Sequence, residues 1–181
     1  MQHIFNIPGL RNSGPQHWQS HWERLHPEDC QRIIQDDWAA PECQAWTARV
    51  EEVLQAHDSQ QLLLTGHSVG CATIVNWHRR YRRPLAGALL VAPSDVEHPG
   101  YPSYIRGFAP LFLENLPFPS IVVASDDDPV VSLERARYFA RCWGSELVVL
   151  STAGHIEEEP RFGPWEEGWE LLRRLEKMSS Q

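Results

Sequence analysis

Leu62-Leu63-Leu64-Thr65-Gly66-His67-Ser68-Val69-Gly70-Cys71-Ala72-Thr73-Ile74-Val75 passes from a short apolar run, through Gly-x-Ser-x-Gly, into a segment with helical periodicity. A strand, a sharp turn and a helix in that order form the setting of a nucleophile elbow. The turn is so tight that a side chain two residues before or after its centre would meet neighbouring backbone. Gly66 and Gly70 remove that obstacle. Ser68 would then project above the sheet, with the positive end of the next helix beneath it. The plainer alternative makes Ser68 a helix cap and the glycines packing residues.

Working outward, further apolar runs at about 2–7, 31–37, 86–92, 119–125 and 145–151 join the one at 61–65. Most of them are short and continuous, as in strands covered on both faces. Helical patterns at about 15–25, 41–56, 69–82, 132–143 and 164–177 fall between most of them. That alternation predicts a three-layer α/β/α sandwich with about six mainly parallel strands. No repeat or linker divides the 181 residues, so residues 1–181 read as a single domain. The interruption is a proline- and aromatic-rich insertion at about 94–119, which predicts a loop and a short helix over the site.

Composition narrows the function. A net charge of −8 argues against nucleic acid or anionic lipid as partner. The basic cluster Arg79-Arg80-Tyr81-Arg82-Arg83 ends a helix, where cations suit the dipole. The start of the chain reads as a strand rather than a signal peptide, and no run has the length of a membrane span. Cys30, Cys43, Cys71 and Cys142 are scattered, without a Cys-x-x-Cys pair, which fits reduced thiols in a cytoplasmic protein. His17 and His21 lie one helical turn apart, but the Glu of His-Glu-x-x-His is missing. No metal and no cofactor is expected. Oligomeric state is not legible.

If Ser68 is a nucleophile on an open α/β sheet, its partners belong after later strands, the acid before the histidine. Asp126-Asp127-Asp128-Pro129 follows the run at 121–125, and Gly154-His155 follows the run at 147–150. Asp128, directly before the proline, is the preferred acid. Asp95, after Ala92-Pro93-Ser94, is an alternative, and Asp126 and Asp127 could instead brace the turn. His3, His26, His57, His78 and His98 have no comparable setting.

With Ser68, Asp128 and His155 in this order, the chain resembles an α/β-hydrolase, and more narrowly the small serine hydrolases related to retinoblastoma-binding protein 9. The narrower likeness rests on Pro8-Gly9-Leu10-Arg11-Asn12-Ser13 with His17-Trp18 and Trp22-Glu23, on the elbow, on Ala92-Pro93, on Asp127-Asp128-Pro129 and on Gly154-His155. It covers nearly the whole chain and implies a reduced hydrolase fold with six strands and Asp128 as the acid. No Leu-x-Cys-x-Glu sequence is present, so retinoblastoma binding does not carry over.

The activity implied is cleavage of small carboxyl esters, or of amides or thioesters, through an acyl-enzyme. Ser68 would attack, His155 would act as general base and Asp128 would orient it. The backbone N–H groups of Val69 and Leu10 would form the oxyanion hole. His17, Trp18, His67, Tyr104 and Phe108 are the expected substrate-pocket residues, although a core position suits Trp18 equally. The alternative from another class is a binding or regulatory protein that keeps the fold without turnover.

Overall fold

The computed structural model describes residues 3–157 and 162–179. Gln2, expected in the first strand, and Glu158 and Glu159 of the acidic run after His155 lie outside them. The elements in chain order are β1 (His3–Ile7), α1 (Trp18–Leu25), β2 (Cys30–Arg32), α2 (Cys43–Leu54), β3 (Leu62–His67), α3 (Val69–Tyr81), β4 (Gly87–Val91), β5 (Ser120–Ser125), α4 (Leu133–Trp143), β6 (Glu146–Leu150) and α5 (Glu166–Met178). A single turn of 3-10 helix, Ser59–Gln61, leads into β3.

All six strands are parallel and run in the order β2-β1-β3-β4-β5-β6. β3 and β4 are buried along their whole length, as their unbroken apolar runs require. Side chains alternate between two cores. Phe5, Leu64, Leu90 and Val122 face α2, α3 and α4. Ile4, Leu63, Leu89 and Ile121 face α1 and α5. The result is the α/β-hydrolase type of three-layer sandwich. Chain direction across the sheet reverses between β1 and β3, and loops after these strands therefore diverge to leave a crevice.

Two expectations need correction. The second strand is three residues long rather than spanning 31–37. It pairs only with β1, and β1 ends at Ile7 before Pro8, which has no N–H to continue the ladder. The insertion contains no helix at all. Prolines at 99, 102, 110, 117 and 119 break the passage into short runs, and Gly107 adopts a φ of 76° within the longest of them. The second half of this passage instead takes the place of a crossover helix. Phe108, Leu111, Phe112, Leu116 and Phe118 pack into the core shared with α3 and α4. Trp143 of α4 pins it by donating Nε1–H to the Phe112 carbonyl at 2.7 Å.

Phe108 is 1% exposed and packs edge-on against Trp46. Phe108→Ala is therefore expected to cost about 3–5 kcal/mol in denaturant unfolding. A loss under about 1 kcal/mol would show that this passage does not carry core weight.

Candidate active site

The elbow forms as its glycines require. Ser68 is held at φ 56° and ψ −123°, outside the ordinary regions for a residue with a side chain. A Cβ on Gly66 would lie 2.8 Å from the Cys71 nitrogen, and one on Gly70 only 2.0 Å from the Ile7 carbonyl oxygen. The Ser68 N–H is tied to the Val91 carbonyl at 3.0 Å, which locks the strained residue to the end of β4. Val69 opens α3, where an N–H has no intrahelical acceptor. The loop after β1 comes so near that a Cβ on Gly9 would stand 3.5 Å from Ser68 Oγ. Leu10 follows it and lines the same cavity as Ser68.

His155 and Asp128 meet across the ends of β5 and β6. Nδ1–H of His155 donates to both carboxylate oxygens, at 2.8 and 3.0 Å. The side chains are 8% and 0% exposed, so water hardly competes for the pair. The carboxylate also accepts the Val130 N–H at 2.7 Å. With Nδ1 committed as donor, Nε2 keeps its lone pair and is able to take a proton.

The two preceding aspartates fasten the same histidine loop. Asp126 accepts the Thr152 N–H at 2.7 Å and the Ser151 hydroxyl at 2.8 Å. Asp127 accepts the Ser125 hydroxyl at 2.6 Å and the Gly154 N–H at 2.8 Å. These bonds hold both carboxyls below their ordinary range, the Thr152 N–H weighing most for Asp126 and the Ser125 hydroxyl for Asp127. Asp95 is engaged elsewhere. Arg135 grips it in a fork, Nε at 2.8 Å and a terminal nitrogen at 3.0 Å, and also reaches Glu97.

Ser68, His155 and Asp128 all line one cavity of about 940 Å³. Ser68 Oγ is hydrogen-bonded to Ser94 Oγ at 3.0 Å, and among the described residues it makes no hydrogen bond to His155. Of the expected pocket residues, His17 and His67 line the cavity, whereas Trp18, Tyr104 and Phe108 do not. Trp18 is buried beneath the site, where it donates Nε1–H to the Ile156 carbonyl at 3.0 Å. Tyr104 is 45% exposed. The aromatic and apolar wall is made instead by Tyr101, Ile105 and Val131, and His98 joins the lining although nothing in its sequence setting suggests it.

Sequence reasoning also missed the buried polar frame below His17. Asn6 donates to Glu23 at 2.9 Å and accepts from Thr65, and Arg32 holds Glu23 through two nitrogens at 2.9 and 3.0 Å. It ties α1 to β1 and β3. Polar residues inside apolar runs were its only trace.

Three histidine rings lie in succession along the cavity, His17 to His67 at 4.8 Å and His67 to His155 at 4.9 Å between centroids. His67 donates Nε2–H to the His155 carbonyl at 2.8 Å, and burial holds it neutral, well below its usual pKa. His17 accepts the Gln19 N–H at its Nδ1, and burial, with Arg32 nearby, lowers its pKa to about 3. His67, His155 and Glu157 bring potential ligand atoms within 4.8 Å of one another. Any ion held there would share a ring whose Nδ1 serves Asp128. Burial pushes the Cys30 and Cys43 thiols up to about 12 and about 11, and Cys71 upward too. These thiols do not compete as nucleophiles near neutrality.

The serine hydrolase family model matches residues 4–174. A protein from Pectobacterium atrosepticum assigned as a YdeN-like hydrolase is 36% identical, covering 98% of this chain and 90% of its own, with a TM-score of 0.82. The ydeN gene product of Bacillus subtilis is 19% identical over 97% of this chain and 98% of its own, with a TM-score of 0.74. The esterase RhEst1 of a Rhodococcus species is 16% identical, over 96% and 91%, with a TM-score of 0.68; at that distance the likeness is one of fold. No curated protein matches.

Unfolded His17 gains a proton below its ordinary pKa of 6.5, whereas the folded residue stays neutral down to about 3. Its contribution is complete above pH 6.5 and is lost as the pH falls from there towards 3. His17→Gln should therefore make the acid loss of unfolding free energy shallower, by up to about 1.4 kcal/mol per pH unit. Parallel slopes for the two proteins between pH 4 and 6 would show that His17 titrates freely.

Proposed function

This chain is a member of the serine hydrolase family, and we propose that it cleaves small carboxyl esters, with amides and thioesters as chemically related substrates, through an acyl-enzyme. The observation that carries the reading is the Asp128–His155 pair, desolvated and bidentate, in a cavity that also exposes Ser68. Narrower kinship with the small hydrolases related to retinoblastoma-binding protein 9 draws support from the His17-Trp18 segment and forms part of the proposal.

In this mechanism Oγ–H of Ser68 hydrogen-bonds to His155 Nε2 in the substrate complex. Such bonds are often long in an unliganded site and tighten when substrate binds. Oγ attacks the substrate carbonyl carbon while its proton passes to Nε2. Asp128 stabilises the imidazolium and fixes the ring orientation. The oxyanion is received by the N–H groups of Val69 and Leu10, each contributing roughly 2.7–4 kcal/mol to the transition state. His155 then protonates the departing alcohol or amine, and a water activated by the same ring releases the acid.

A purely binding role would suit a buried Ser68, but the residue is half-buried and faces the cavity. A fluorophosphonate probe separates the two roles. Strong labelling that disappears in Ser68→Ala is expected, and a folded wild-type protein that stays unlabelled would favour binding without turnover. On p-nitrophenyl acetate, Asp128→Asn should lower kcat by about three to four orders of magnitude, through loss of the imidazole orientation. Asp95→Asn should do far less, because Asp95 faces Arg135. The reverse ranking would move the acid to Asp95.

A further inference from the structure

The connection after β4 brings a second hydroxyl to the nucleophile. The Val91 carbonyl accepts the Ser68 N–H; Ala92 then takes a φ of 47°, and the Ser94 N–H returns to the Ser68 carbonyl at 3.4 Å. This double tie between the two chain segments is what sets Ser94 Oγ 3.0 Å from Ser68 Oγ. Ser94 is 2% exposed, so bulk water does not replace the contact. Tyr101, from the same connection, lines the same cavity as Ser94, and burial pushes its phenol up to about 12.

We infer that Ser94 is a further catalytic residue, whose O–H donates to Ser68 Oγ during both acylation and deacylation. The inference rests on Ser68 being the nucleophile. Direction follows from proton supply. A hydroxyl has one proton to give, and that of Ser68 must go to His155 Nε2 during attack. The Ser94 contact therefore survives the reaction only with Ser94 as donor.

During attack the Ser68 Oγ–carbon bond forms, the carbonyl π pair moves onto the substrate oxygen and the Oγ proton passes to His155. In deacylation that Oγ–carbon bond breaks, its electron pair returns to Oγ, and Oγ recovers a proton from the imidazolium. Ser94 keeps its own proton throughout. Its hydrogen bond strengthens whenever Oγ carries developing negative charge, and such charge-assisted bonds exceed neutral ones.

Ser94→Ala, Ser94→Cys and Ser68→Ala would be compared on p-nitrophenyl acetate, with fluorophosphonate labelling rates and thermal unfolding. Ser94→Ala is expected to lower kcat by about tenfold or more, with KM changed less than about twofold and slower labelling. Ser94→Cys, close in size but a weaker donor, should lower kcat by a smaller factor. A purely structural contact would lower thermal stability without this split between kcat and KM. Turnover by Ser94→Ala equal to the wild type would overturn the inference by showing the contact idle. Faster turnover would also overturn it, by making Ser68 the donor and Ser94 a restraint. Should Ser94→Ala fail to fold, an unchanged kcat in Ser94→Cys overturns it. Turnover surviving in Ser68→Ala would bring down the nucleophile itself, a different failure.

Discussion

The site depends on how closely α3 approaches the end of β1. The Ile7 carbonyl lies where the first atom of any side chain on Gly70 would have to be. Only at that separation can one short turn hold Ser68 with its N–H on β4, its side chain in the cavity and its loop neighbour Gly9 at contact distance. The strain at Ser68, of order 1–3 kcal/mol for such backbone, is sustained because β3 and α3 are buried on both sides of it. The apolar core thus does more than stabilise the sheet. It fixes the position of one oxygen atom.

Around that fixed point the polar groups have separate tasks. Asp128 serves His155, Asp95 serves Arg135, and His67 holds the main chain of His155 rather than its ring. Burial keeps His67 and His17 uncharged, so two additional imidazoles can stand near His155 without confronting it with further cations. The lower frame of Asn6, Thr65, Glu23 and Arg32 holds α1, whose N-terminus His17 caps, against the sheet.

Much of this was legible in the sequence, for a physical reason. Strands covered on both faces need continuous apolar runs, and the elbow needs two glycines at fixed spacing, so β3, β4, β5 and the Ser68 turn announce themselves locally. The order of Ser68, Asp128 and His155 could be read because side chains at strand ends inherit their place from the strand. The irregular passage at 94–119 has no period. Nothing there indicates which aromatic faces inward, and Tyr101 lines the cavity while Tyr104 and Phe108 do not. The short β2 escaped because a strand's length depends on where its partner stops. The Asp95–Arg135 pair and the Ser94 contact span 40 and 26 residues and leave no local trace.

Asp126, Asp127 and Asp128 engage Thr152, Gly154 and His155, as successive teeth engage a rack. Adding or deleting one residue in either loop would slide that mesh and hand each acid the wrong counterpart. Lineages descended from such a protein have little freedom to alter loop length there. The passage leaving β4 is tied down at Ser94 and Asp95 and again where Phe108 enters the core, but growth or shrinkage between them, around His98–Ile105, reshapes the cavity wall without disengaging the histidine. Diversification towards new substrates is therefore channelled to one side of the molecule.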